Sequence, residues 1–97
     1  MTINWDENAE AEFVEAAVYY ERKVDGLGER FIVRIEATVA RVLSNPFLHR
    51  CFDGECRRVK TETFPFFLIY RVSADHLHIL AVMHSSRQPG YWKDRIL

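Results

Sequence analysis

Two cysteines among 97 residues, Cys51 and Cys56, are too few for a disulfide framework. The longest apolar run, FPFFLIY (Phe64–Tyr70), is far too short to span a bilayer. The first ten residues, MTINWDENAE, are acidic and lack the apolar core of a secretory signal. No repeat, linker or low-complexity segment interrupts the chain, and no Gly-x-Ser-x-Gly elbow marks a serine nucleophile. Cys51-x4-Cys56 and His76-x-His78 match no standard zinc spacing, so no metal and no cofactor are expected. These absences predict one domain, residues 1–97, with no membrane association and a cytoplasmic location by default.

What is present is ordinary for a folded domain. Apolar residues make up 48% and charged residues 28%, enough for a single core. The net charge of −1 hides an asymmetry. Residues 1–56 carry 6 Lys/Arg against 11 Asp/Glu, and residues 57–97 carry 7 against 3, with three of the four histidines. Either the basic half meets an anionic partner, or the helices simply hold many solvated glutamates.

Hydrophobic period gives the element order. TINW (Thr2–Trp5) reads as a short strand, and Asp6 can cap the helix after it. Phe13, Ala16, Ala17, Tyr20 and Val24 recur at helical spacing, and Asp25-Gly26-Leu27-Gly28 ends that helix. A second helix runs from about Glu29 to Leu43 on an apolar stripe of Phe31, Ile32, Ile35, Val39, Val42 and Leu43. Ser44-Asn45-Pro46 stops it. Phe47 to Glu55 reads as a loop. Strands follow at Arg57–Thr63, Pro65–Ser73 and His76–Ser85, with a final helical turn at Tyr91–Ile96. The prediction is an α+β fold of order β-α-α-β-β-β: an antiparallel sheet with an N-terminal helix hairpin packed on one face.

Alternation assigns the faces of the last strand. Leu77, Ile79, Ala81 and Met83 should face the helices. His76, His78, Leu80, Val82 and His84 should share the open face. Phe31, Ile35, Val39, Leu77, Ile79 and Ala81 should therefore be buried together. On the middle strand Phe66, Leu68 and Tyr70 share one face, and Phe67, Ile69 and Arg71 the other.

After that apolar strand the chain turns to HSSRQPGYWKDR (His84–Arg95). Arg57, Arg58, Lys60, Arg71, Arg87, Lys93 and Arg95 could hold phosphates. Tyr91 or Trp92 could stack on a base, and His84 could move a proton near neutral pH. The same residues can equally close the fold: Tyr91 and Trp92 as a lid on the core, and Arg87 paired with Asp94 or a glutamate.

FPFFLIYRV (Phe64–Val72) followed by HLHILAVMHSSRQPGYW (His76–Trp92) resembles the RelE/ParE superfamily of bacterial toxins. The pattern is a Phe-Pro-aromatic…Tyr-Arg-Val strand, a Val-x-His strand end and an Arg-x-Pro-x-Tyr-Trp tail. The resemblance implies the toxin of a type II toxin–antitoxin module, as in plasmid stabilisation systems. Its partner would be a small cognate antitoxin, with a homodimer or a heterotetramer with antitoxin as possible assemblies. ParE-like members poison DNA gyrase. RelE-like members cut mRNA in the ribosome. In the nuclease version Arg71 and Arg87 would stabilise charge on the phosphate, and His84 or Tyr91 would handle the proton. Arg57, Arg58, Lys60, Trp92, Lys93 and Arg95 would touch partner or nucleic acid. RelE-like nucleases carry an arginine before Leu-x-Tyr on the middle strand; Phe67 stands there in this sequence. The Tyr70-Arg71-Val72…Val82-Met83-His84 pattern is closer to the ParE side.

Overall fold

The computed structural model describes residues 1–95. The chain runs β1 (Thr2–Trp5), α1 (Glu7–Lys23), α2 (Leu27–Ser44), β2 (Cys51–Asp53), β3 (Cys56–Lys60), β4 (Phe66–Ser73) and β5 (His76–His84), then a short 3-10 helix (Lys93–Arg95). Ile96, the end of the expected final turn, lies outside the described residues. The five strands form one sheet in the order β1-β5-β4-β3-β2. The helix hairpin covers one face of it, as the sequence predicts.

Local chemistry sets the helix ends. The Asp6 carboxylate accepts from the backbone N–H groups of Asn8 (2.9 Å) and Ala9 (3.3 Å), which would otherwise be unpartnered in the first turn. Gly26 takes the left-handed conformation (φ 85°) between the helices. It offers no side-chain cap to α2, and Glu21 of α1 substitutes. Its carboxylate accepts from Gly26 N–H (2.8 Å) and Gly28 N–H (3.0 Å), locking the hairpin turn. The helices approach so closely there that only glycine fits at residue 28. A Cβ would press on the Ala17 carbonyl oxygen and lie 2.8 Å from Glu21 Cβ.

Between helices and sheet, Phe31, Ile35 and Val42 of α2 meet Phe66, Leu68, Tyr70, Leu77 and Ile79, all nearly or fully inaccessible. Tyr20, Phe31, Phe64 and Phe66 pack edge-on or tilted, at centroid distances between 4.9 and 6.2 Å. The Tyr70 hydroxyl reaches through this core to the Pro46 carbonyl (3.0 Å) and pins the chain where it leaves α2.

Three details differ from the sequence reading. β1 pairs parallel with β5, so the sheet is mixed at that edge. Cys51–Asp53, expected as loop, is an edge strand pairing with β3 across a turn at Gly54. The third is a bulge in β5. Ile69 pairs with Ala81 and Tyr70 with Ile79, leaving Leu80 as an extra residue. A bulge reverses which side chains face which way. Before it Leu77 and Ile79 face the helices, as expected. After it Val82 turns to the helices, while Ala81 and Met83 join Cys56, Ile69, Leu80 and Trp92 in a second cluster on the opposite face. The expected placement of Ala81 and Met83 against the helices, and of Val82 and His84 on the open face, is thereby corrected.

The tight contact at Gly28 gives a direct test. Gly28→Ala should destabilise the chain by about 1–3 kcal/mol, the cost of overpacking a closed contact. Urea unfolding followed by circular dichroism should show a lower midpoint with an unchanged slope.

Candidate functional site at the sheet edge

β1 covers only His76–Ile79 of the outer edge of β5. Beyond it no strand among the described residues lies beside the backbone groups of Leu80 and Val82. Side chains satisfy them instead. Val82 N–H donates to Glu12 Oε1 (3.0 Å), and Arg95 Nη1 donates to the Leu80 carbonyl (3.0 Å). Glu12 and Arg95 then pair through two bonds, Nη1 to Oε1 (3.0 Å) and Nη2 to Oε2 (3.1 Å). This side-by-side geometry is the strong form of a carboxylate–guanidinium contact. The Tyr91 hydroxyl donates to Glu12 Oε2 (2.7 Å). The Arg87 guanidinium lies 3.8 Å from the centre of the Tyr91 ring, and that of Arg95 lies 5.1 Å from it.

His84 sits next to this network. The bulge brings it to the helix side, where its ring meets Phe66 edge-on (5.1 Å). Its Nδ1 accepts from Ser86 N–H (3.0 Å) and contacts Ser86 Oγ (2.7 Å). Accepting that N–H occupies the Nδ1 lone pair. His84, Arg87 and Tyr91 line a hollow of about 230 Å3 with Glu12, Glu15 and Phe66. Burial first, then the hydrogen bond to Glu12 and that residue's charge, push the Tyr91 hydroxyl far above the ordinary tyrosine range.

Arg71 does not join them. It pairs across strands with His78, on the sheet face opposite Tyr70. His78 is six residues from His84 along β5, roughly 20 Å at strand rise. Three of the four residues expected to act together in a nuclease are thus gathered, and the fourth is separated by the sheet.

The expected contact residues are largely engaged within the fold. Trp92 is 1% exposed and packs on Cys56, Ile69, Leu80, Ala81 and Met83, so it serves as a core lid and presents no ring to a base. Arg57 donates to the His49 carbonyl and stacks over Phe47. Lys60 donates to the carbonyls of Thr61 and Phe64. Lys93 pairs with Asp53 at 2.9 Å. Arg58 stays exposed between Phe52 (4.9 Å) and Phe67 (5.4 Å) on the open face. Arg87 stacks on Tyr91; its expected ion pair with Asp94 or a glutamate is absent among the described residues. Cys51 is exposed and Cys56 buried, both as free thiols.

Sequence reasoning missed Glu12. The available signal was its phase: it lies among Ala9, Phe13 and Ala16, on the side of α1 that turns to the sheet. A carboxylate there demands buried partners.

A family model described as the ParE toxin of the type II toxin–antitoxin system parDE matches residues 3–89. This chain belongs to the ParE toxin family. Two solved structures share the fold of this ParE-family chain. A chain of the chromosomal ParDE toxin–antitoxin system from P. aeruginosa superposes with a TM-score of 0.73 at 20% identity, covering 87% of this chain and 95% of that one. The isolated E. coli RelE toxin superposes with a TM-score of 0.63 at 19% identity, covering 99% and 98%. No curated protein sequence matches. The family match ends at Pro89, so Tyr91 and Arg95 are known as partners of Glu12 from the structure alone.

Two predictions follow from the Glu12 network. The side chains of Arg95 and Glu12 are only 12% and 15% exposed. Glu12→Ala should therefore cost about 3–5 kcal/mol, as when one partner of a buried ion pair is removed, read as a drop in denaturation midpoint. Tyrosine ionisation gives the second. Burial raises Tyr20 and Tyr70 as well as Tyr91. Unfolded tyrosines ionise near pH ~10. Groups held protonated in the fold contribute stability that is complete below that pH and falls as pH climbs past it. Absorbance at 295 nm should show native phenolates lagging behind unfolded ones. Tyr91→Phe should leave the native curve unchanged up to alkaline unfolding, while removing one phenolate from the unfolded curve.

Proposed function

We propose that this ParE-family chain arrests growth in the cytoplasm by binding DNA gyrase, without chemistry of its own, and that a small cognate antitoxin neutralises it. The observation that carries this reading is the state of the two proton carriers at the sheet edge. A general base needs a free lone pair within reach of the proton it takes. His84 Nδ1 already accepts from the Ser86 backbone N–H. The Tyr91 hydroxyl already donates to Glu12, and its raised pKa opposes ionisation near neutral pH.

The arrangement of cations supports the same reading. Nucleases that cleave RNA stabilise charge on the phosphate with converging cations. Here Arg71 lies across the sheet from Arg87, Arg95 is neutralised by Glu12, and Phe67 occupies the strand position where RelE-like nucleases carry arginine. Membership of the ParE family points in the same direction.

A pulse of expression in a bacterium lacking the antitoxin tests the target. Labelled thymidine incorporation should fall within minutes, before labelled amino-acid incorporation, and the purified chain should inhibit gyrase supercoiling in vitro. His84→Ala should still arrest growth. Early loss of translation that His84→Ala abolishes would overturn the proposal in favour of mRNA cleavage. Loss of neither activity would make the chain a silent relative that retains only antitoxin binding.

A further inference from the structure

α1 carries apolar residues on two sides. Ala9, Phe13, Ala17 and Tyr20 turn to the core. Val14 and Val18 face away from it and are 55% and 43% exposed. Valine at an exposed helix position is favoured neither by helix propensity nor by contact with water. With Tyr19, Arg22 and Lys23, these two valines line an open hollow of about 600 Å3 on the outer surface of the helix.

The exposed residues form a narrow stripe. At about 100° per residue, Glu7, Ala11, Val14, Val18 and Arg22 fall within an arc of about 80°, opposite the buried side. All five are exposed. The spacing keeps them on one seam for about four turns, as at the contact line of two paired helices.

Charge divides this seam. It is acidic at Glu7 in the first turn, basic at Arg22 in the last, and apolar between them. A helix laid antiparallel against it must offer a base near Glu7, an acid near Arg22 and small apolar groups in the middle. α1 itself meets that description. About a two-fold axis between Val14 and Glu15, Glu7 meets the partner's Arg22 and Ala11 meets the partner's Val18. The two Val14 side chains adjoin at the axis, and the small Ala11 lets the helices come close. Antiparallel pairing also sets opposite ends of the two helix dipoles side by side.

We propose that this stripe of α1 pairs the chain with a second copy of itself, antiparallel, about a two-fold axis. The interface is isologous, so each contact occurs twice. Two helix faces of this length bury on the order of 1,000 Å2, the small end for protein pairs, so the dimer forms at micromolar concentration or above. The pairing goes beyond the gyrase reading and does not depend on it.

Sedimentation equilibrium of the full chain, made by cell-free synthesis, tests this from about 10 µM to about 1 mM at low salt. The wild-type chain should pass from monomer to dimer across that range. Val14→Gln combined with Val18→Gln, both at exposed positions, should keep it monomeric. Glu7→Lys and Arg22→Glu each turn two attractions into two repulsions, and each should weaken the dimer about tenfold or more. An equimolar mixture of these two variants should recover the wild-type affinity, because opposite charges then meet at both ends of the seam. Arg30→Glu, on α2, should leave association unchanged. Should the valine variant lose its native circular dichroism, the mixing experiment decides alone. A chain that stays monomeric at the highest concentration overturns the inference and leaves the stripe to a different protein. A dimer that persists in the folded valine variant, or a mixture no tighter than either charge variant alone, overturns it as well.

Discussion

One carboxylate, that of Glu12, joins three parts of this molecule that are far apart in the chain. It projects from α1, accepts from the β5 backbone at Val82, and accepts from Tyr91 and Arg95 of the C-terminal segment. The need for it arises from the shortness of β1. A four-residue strand cannot cover a nine-residue one, so the upper half of β5 would present bare backbone groups at a sheet edge. Such an edge invites pairing with another chain. Side chains close it here, and in doing so fix the helix against the sheet and the tail against both. Because Tyr91 and Arg95 take part, the tail that looks like a contact surface in sequence is first a structural element.

The bulge at Leu80 makes that arrangement possible. Without the extra residue, alternation would put Ala81 and Met83 against the helices and leave Val82 and His84 on the far side. With it, Val82 faces the helix core and His84 meets Phe66, close to α1. On the far side Leu80 and Ala81 fall together and, with Met83, Ile69 and Cys56, form the apolar seat for Trp92. That seat draws the C-terminal segment across the sheet, and Arg95 follows to reach Glu12. Bulge, tryptophan and carboxylate act as one device: the first builds the seat, the second anchors the tail, and the third closes the edge.

Local patterns were readable in the sequence for physical reasons. Asp6 as a cap, the glycine turn and the Asn45-Pro46 stop all depend on residues within a turn of one another. The apolar stripe of α2 and the aromatic strands carry periods that survive any tertiary context. What was not readable depends on distant partners. Glu12 contacts Val82, 70 positions away, and no local rule pairs them. The bulge leaves no readable phase shift, since His76–Ile79 alternates polar and apolar but Leu80–Met83 is apolar throughout, and an unbroken apolar run does not show which face each residue takes. β2 is three residues long, too short for a period. The HSSRQPGYWKDR segment could be read as lid or as contact surface. Packing alone divides it: Trp92 and Arg95 face inward, and Arg87 stays exposed on the Tyr91 ring.

The basic half of the chain changes meaning under the same division. Counted in sequence, its surplus of lysine and arginine describes a patch that attracts phosphates. In the fold, Arg57 and Lys60 tie down loop carbonyls, Lys93 pairs with Asp53, and Arg95 pairs with Glu12. The cations left over are dispersed. Arg58 lies between two aromatic rings on the open face, Arg87 lies on Tyr91 at the edge, and Arg71 lies in a cleft beyond. Phosphate cleavage needs positive charge converging on one point. Recognition of a protein surface tolerates charges set apart, each beside an apolar or aromatic neighbour, because its contacts are spread over area. The spacing of these leftover cations is thus what supports the proposed gyrase-binding reading.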